Sequence, residues 1–521
     1  MAKPASSSLK DGVCELVPKE RLGCRMAGSG WVRWLVRRGF VLIGLCWSGP
    51  LLAQQDLPQT VQQQKAKYAQ LLAGLADWAQ QQGLLAEAHK TRGWLAPREP
   101  YKLYIAKLPE EIGPPKPPPD ANPQQAEWHQ RFWQLRRQQA GALWELARRA
   151  VRAGQASLAV QLVLEAARED PDHEAVRRFL GYQPYQGAWR TDYEVRKLRS
   201  GQVWHDRFGW LPKSHVARYE AGQRFYQGRW ISAEEDARLH SDIHHGWDIE
   251  TEHYLIRTNH SLEAGVALGV KLERLYRVWR QLFFRYYATE AQMASWFNLQ
   301  AKAQAVRLPQ HRVVYFKNRE QYQAALREAI PQIDKTIGLY FAPTRRCYFF
   351  AGDEFEQRTL LHEATHQLFH ETRPVSPQAG QAANFWIIEG VALLMETLRE
   401  EGDWLVLGGW EDERIKAARY RLLEENFYIP LADFCTYGME KLQADPRIAT
   451  LYSQAAGLTH FLFFYEGGRY RDALIGYLTA VYSGRDDPGT LARLTQTSYA
   501  ELDRQYRAYM EAGPSQSHSS R

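Results

Sequence analysis

Cysteine is scarce in this chain, long apolar runs are missing, and neither sign of charge dominates. Three of the five cysteines, Cys14, Cys24 and Cys46, lie within the first 53 residues. Only Cys347 and Cys435 remain beyond them, so either one disulfide forms in an oxidising compartment or two free thiols are buried. The apolar run from Phe40 to Trp47 is far too short for a membrane span of roughly 20 residues, and no stable transmembrane anchor is expected. The net charge of +7 also shrinks on inspection. The first 53 residues hold eight basic and three acidic groups, which leaves 58 against 56 and a net charge of +2. There is no long basic stripe, so nucleic acid is excluded as a partner.

Those 53 residues read as an export leader. Arg33, Arg37 and Arg38 precede the apolar run, and Leu51-Leu52-Ala53 follows it. Translation from Met26 would give a leader of 28 residues, with residues 1–25 an upstream extension. Arg37-Arg38-Gly39-Phe40 has a faint twin-arginine character, but a general secretory signal fits better. Leu45 before Cys46 argues against lipoprotein processing. The expected location is the periplasm, the cell envelope or the medium.

Residues 54–183 read as helical, interrupted by the proline-rich, semi-rigid linker 109–123. Ala142-Leu143-Trp144-Glu145-Leu146-Ala147, then Gly154, Leu158-Ala159 and Asp170-Pro171, resembles a tetratricopeptide helix pair, with a poorer one from Tyr68 to Trp94. A solenoid normally needs three repeats. A packing module is therefore the plain reading, and a docking surface for a protein partner the functional one. Residues 184–248 contain Tyr185-Gln186-Gly187-Ala188-Trp189 and, 41 residues later, Tyr226-Gln227-Gly228-Arg229-Trp230. This is expected to be a small β-rich linker with tight turns. His240, His244 and His245 read as a solvated loop.

The chemistry is concentrated in Leu360-Leu361-His362-Glu363-Ala364-Thr365-His366-Gln367-Leu368-Phe369, an H-E-x-x-H pattern inside a helical run. Four residues advance about 400° on a helix, so His362 and His366 project from one face and can grip one metal ion. Glu363 lies about 100° from His362, placed to act as general base toward water at the ion. Asp353 and Glu356 give a capping-box-like start, and Pro374 stops the helix.

A catalytic zinc normally takes three protein ligands. His370 continues the face but stands roughly 12 Å along the axis from His362, too far unless the helix breaks. The metzincin pattern does break there, but Phe369 and Thr372 occupy its glycine and third-histidine positions. Glu389 is the better candidate, because a carboxylate in the apolar segment from Phe385 to Met395 is costly to bury unless a cation compensates it.

Trp386, Glu389, Gly390, Ala392 and Glu396 match the Trp-x-x-Glu-Gly-x-Ala-x-x-x-Glu motif of the gluzincins, the thermolysin-like and aminopeptidase-like zinc peptidases. Over roughly 249–512 the chain resembles that clan, and within it the bacterial peptidase-MA-like proteins that are exported and carry helical repeats. The resemblance implies an α+β fold, a mixed sheet followed by a helical half, and one zinc ion on His362, His366 and Glu389. Thermolysin's histidine-steadying aspartate is replaced by Leu393, so the group that orients the histidines is left open; Glu396, about 10 Å beyond Glu389 along the helix, reads as a supporting residue.

In the aminopeptidase branch a tyrosine some sixty residues after the glutamate ligand stabilises the oxyanion. Tyr452, 63 residues after Glu389, is the counterpart, with Ala455 where that branch has glycine. His460 is the thermolysin-like alternative, in a strongly apolar run. No Gly-x-Met-Glu-Asn motif precedes His362, and Gly438-Met439-Glu440-Lys441 comes too late to be that element. Endopeptidase action is therefore preferred over aminopeptidase action.

Strands are expected at 253–258, 311–316, 338–341 and 346–350, with helices at 261–287 and 319–329. The resemblance makes Arg346 to Phe350 a candidate substrate-binding edge, with Arg346, Tyr348 and Phe350 as contact residues. An ordinary buried strand is the alternative. The chain is expected to be mainly helical from Glu389 to about residue 512, ahead of a polar tail at 513–521. The overall expectation is an exported zinc peptidase acting on a peptide or protein. The alternative is an envelope binding or scaffold protein whose helical module does the work and whose metal site is vestigial or structural.

Overall fold

The computed structural model of the chain describes residues 51–94, 98–298, 309–352 and 357–514. The leader up to residue 50 with its three cysteines, the Asp353–Glu356 helix start and tail residues 515–521 lie outside the described residues. The fold combines helices with several small sheets, as an α+β reading requires.

The described residues begin with two helical hairpins: Leu51–Gln81 with Leu85–Trp94, and Pro123–Arg152 with Ala156–Glu169. A capping box starts the third helix. The Asn122 side chain accepts the Gln125 N–H at 2.8 Å, Gln125 Oε1 accepts the Asn122 N–H at 3.0 Å, and Pro123 occupies the first turn, where no N–H is needed. Trp128 and Phe132 join Tyr68, Leu72 and Leu75 in one apolar cluster that ties the two hairpins together.

Between the hairpins runs strand β1, Lys102–Ala106, which the reading of this region as helix and linker did not include. Its Leu103 and Ile105 alternate inward over only five residues, too short a run to stand out in sequence.

Three β-hairpins follow, each with its own short helix. β2 (Tyr182–Tyr185) pairs with β3 (Ala188–Thr191), β4 (Gln202–His205) with β5 (Gly209–Pro212), and β6 (Gln223–Tyr226) with β7 (Arg229–Ser232). The repeat thus has three units, and the 41-residue spacing skips the middle one. Gln186-Gly187 and Gln227-Gly228 turn with positive φ at both residues, whereas the middle hairpin turns through Asp206 to Phe208 and lacks that signature.

A five-stranded sheet then forms from β8 (Trp247–Glu250), β9 (Tyr254–Thr258), β10 (His311–Phe316), β11 (Leu339–Phe341) and β12 (Arg346–Phe350). The order is β11-β12-β10-β9-β8, with β9, β10 and β12 parallel and the outer two strands antiparallel. The expected edge at Arg346 to Phe350 is therefore corrected. β12 is hydrogen-bonded on both sides, and its run from Cys347 to Phe350 is buried throughout, the pattern of an interior strand. On that side of the sheet the edge is β11, which is half-buried.

The helical half follows, interrupted by the hairpin of β13 (Arg399–Glu401) and β14 (Trp404–Gly408). β1 adds to β14 antiparallel, from Lys102 opposite Gly408 to Ala106 opposite Trp404. Leu103, Ile105, Ala156, Val160 and Leu164 consequently share one core with the motif helices. Among the described residues no helix is long and apolar enough to cross a membrane.

Candidate metal centre

The helix Gln357–Glu371 buries Leu360, Leu361, Ala364 and Leu368, leaving His362, Glu363, His366 and His370 half-buried on its other side. The helix Phe385–Met395 is buried along its whole length. It starts at Asn384, whose left-handed backbone turns the chain and whose Oδ1 accepts the Tyr477 hydroxyl at 2.6 Å. At Gly390 a Cβ would overlap the Thr459 hydroxyl and crowd the Ala455 carbonyl. Glycine beside Glu389 thus lets the helix Ile448–Phe464 lie directly against the ligand-bearing turn.

This packing brings three side chains from two helices together. The ligand atoms of His362, His366 and Glu389 all lie within 4.8 Å of one another. The two Nε2 atoms are 3.1 Å apart, and Glu389 Oε2 stands 3.3 Å from His362 Nε2 and 3.8 Å from His366 Nε2. Two imidazoles and one carboxylate can hold a metal ion, and among the described residues this is the one such cluster of three or more.

The electrostatics of the two histidines differ. Burial opposes charge on His362, yet Glu389 and Glu396 hold its imidazole up at about 10, while burial pushes His366 down to about 4. A positive charge is thus stabilised where the three donors meet, and a proton and a metal ion would compete for that place.

Glu396 resolves which group orients a histidine. Its Oε1 lies 2.8 Å from His362 Nδ1, so with Nδ1–H donated there, Nε2 presents its lone pair to the cluster. Arg358 donates to Glu396 Oε2 at 3.1 Å and to Asp412 Oδ2 at 2.8 Å. The sequence carried a signal for Arg358, because it precedes His362 by four residues and so shares its face.

Glu363 Oε2 accepts the Tyr340 N–H at 2.7 Å. Burial pushes this carboxyl up to about 7, against the restraining charge of His362. Burial raises the Tyr452 phenol, and the nearby Glu389 carboxylate raises it further.

Other expected residues lie elsewhere. His370 packs between Tyr340 and Tyr482, each 5.4 Å away between ring centres, and does not join the cluster. His460 is fully buried, with Nδ1 2.7 Å from the Tyr509 hydroxyl, so it faces the core. Arg346, Tyr348 and Phe350 share one face of β12, and Tyr348 and Phe350 join Phe316 and Tyr322 in a separate cluster. Cys347 on the opposite face meets the motif helix, its Sγ 3.5 Å from the Glu363 carbonyl. The three residues offered as substrate contacts thus lie on the face of β12 opposite the one that meets the motif helix. Cys347 and Cys435 are both free and buried. His240 stacks on Trp247, with Nδ1 2.7 Å from the Asp236 carbonyl.

Comparison with protein-family models and with curated proteins finds no match to this chain.

Proposed function

We propose that the protein is an exported, zinc-dependent endopeptidase of gluzincin type. What carries this reading is the convergence of His362, His366 and Glu389 with a carboxylate, Glu363, that is not one of the three donors. A purely structural site needs no base and no open position. The donor set of two imidazoles and one carboxylate matches the His₂Glu ligation of catalytic zinc.

When bound, zinc supplies Lewis acidity to the scissile carbonyl and to water. Glu363 takes the proton from the attacking water and returns it to the leaving amine, a double duty suited to a carboxyl poised near neutrality. Tyr452 donates a hydrogen bond to the developing oxyanion. Glu396 keeps His362 in one tautomer and orientation.

Zinc content and peptide cleavage of the wild type and Glu363→Gln test the assignment. The expected result is about equal zinc and a loss of about 10²–10⁴ in kcat/KM in the variant. A zinc-loaded wild type that cleaves nothing in a broad peptide library overturns it.

A further inference from the structure

The edge strand β11 touches the proposed base directly. Tyr340 donates its main-chain N–H to Glu363 Oε2 at 2.7 Å, and among the described residues no other hydrogen bond reaches that carboxylate. Tyr340 lies between Leu339 and Phe341, which face Tyr348 and Arg346 of β12. In an antiparallel ladder, successive residues direct their N–H and C=O groups alternately toward the partner and away from it. A Tyr340 N–H that meets Glu363 is therefore one directed away from β12, and its carbonyl shares that side.

Behind the donor, burial raises the Tyr340 phenol and the nearby Glu371 carboxylate raises it further. Glu371 is buried, held at 2.7 Å by His311 Nδ1 and at 3.2 Å by Gln367 Nε2. The 3-10 turn Ala342–Thr344, closed by Arg345 at a φ of 52°, ties β11 to β12 at its other end.

We infer that Tyr340 is a positioning residue: its main-chain amide sets the direction of the Glu363 carboxylate. One oxygen of Glu363 is thereby committed, and the other is the one left to exchange protons with water. The free side of β11 then offers an incoming peptide an acceptor at Tyr340 but no donor. The effect on turnover rests on the peptidase reading; the contact itself does not.

Hydrogen exchange resolved to single amides separates the two. In Glu363→Ala the Tyr340 amide should exchange about 10-fold faster or more, while the Tyr348 and Phe349 amides of β12 stay unchanged. Unchanged exchange at Tyr340 overturns the inference. Tyr340→Val keeps the amide and loses the phenol, whereas Tyr340→Pro loses both at an edge position where proline removes no ladder bond. Relative to Tyr340→Val, Tyr340→Pro should lose about 10-fold or more in kcat, with KM and bound zinc retained. Equal kcat in the two variants overturns the inference. Absence of peptide cleavage by the wild type overturns the peptidase reading instead, and the exchange comparison still decides the contact.

Discussion

At the scale of single residues, the centre depends on carboxylates placed for different tasks. Glu389 joins the donor cluster, Glu363 stands beside it, and Glu396 holds His362 from behind. On the proposed metal binding, Glu396→Ala should weaken affinity for the ion about 10- to 100-fold in chelator competition, while Arg358 keeps its bond to Asp412 and the fold persists. Unaltered affinity would show that Glu396 is idle. His460 gives a separate test through stability. Burial pushes it from 6.5 down to about 3, so the unfolded chain takes up a proton that the folded chain refuses. Above pH 6.5 the residue is neutral in both states and contributes nothing to pH dependence. As pH falls from 6.5 toward 3 it should remove up to about 1.4 kcal/mol of stability per pH unit. His460→Gln keeps an acceptor for Tyr509, so its denaturation midpoint should fall less steeply over this window than that of the wild type.

At the scale of elements, the H-E-x-x-H helix and the Glu389 helix were legible because their periodicity and ligand chemistry are local. So were most strands of the larger sheet, with boundaries within a residue or two. The edge was misplaced because pairing is not a local property of a strand: β11, only a few residues upstream, folds back on the side of β12 that β10 leaves open. β1 was missed because its partner β14 lies some 300 residues downstream. Gly390 shows how a short motif encodes packing: the residue after the ligand is small because the helix Ile448–Phe464 needs its space. Gly390→Ala should cost about 1–3 kcal/mol and weaken zinc binding. Adding Thr459→Ala removes the nearest obstruction and should recover most of the stability. A double variant no more stable than the single one would place the strain elsewhere.

At the scale of the whole molecule, the N-terminal helices are joined to the half that carries the donor cluster by more than covalent linkage. Trp94 is sandwiched by the guanidinium groups of Arg136 and Arg168 at 4.1 and 4.0 Å, and Arg98 lies 4.2 Å over Trp404 of β14, with Arg168 5.6 Å from the same ring. Ser157 meets Asp472 at 2.7 Å across the same junction. Trp404→Ala should destabilise the protein by about 1–3 kcal/mol. It should also make the linker 109–123 cleave faster in limited proteolysis. A cleavage rate equal to that of the wild type would show that the arginine–tryptophan stack does not hold the two parts together.

The sequence by itself determined the donor set and the identity of most elements. Each of these follows from residue type at helical or strand spacing, over distances the backbone fixes locally. Only the tertiary structure decided which strand is the edge, that Glu396 holds His362, that Tyr340 reaches Glu363, and that β1 completes a sheet with β14. Those contacts depend on how helices and strands pack rather than on what each segment is, and all but the β11–β12 pairing join residues 23 to about 300 positions apart.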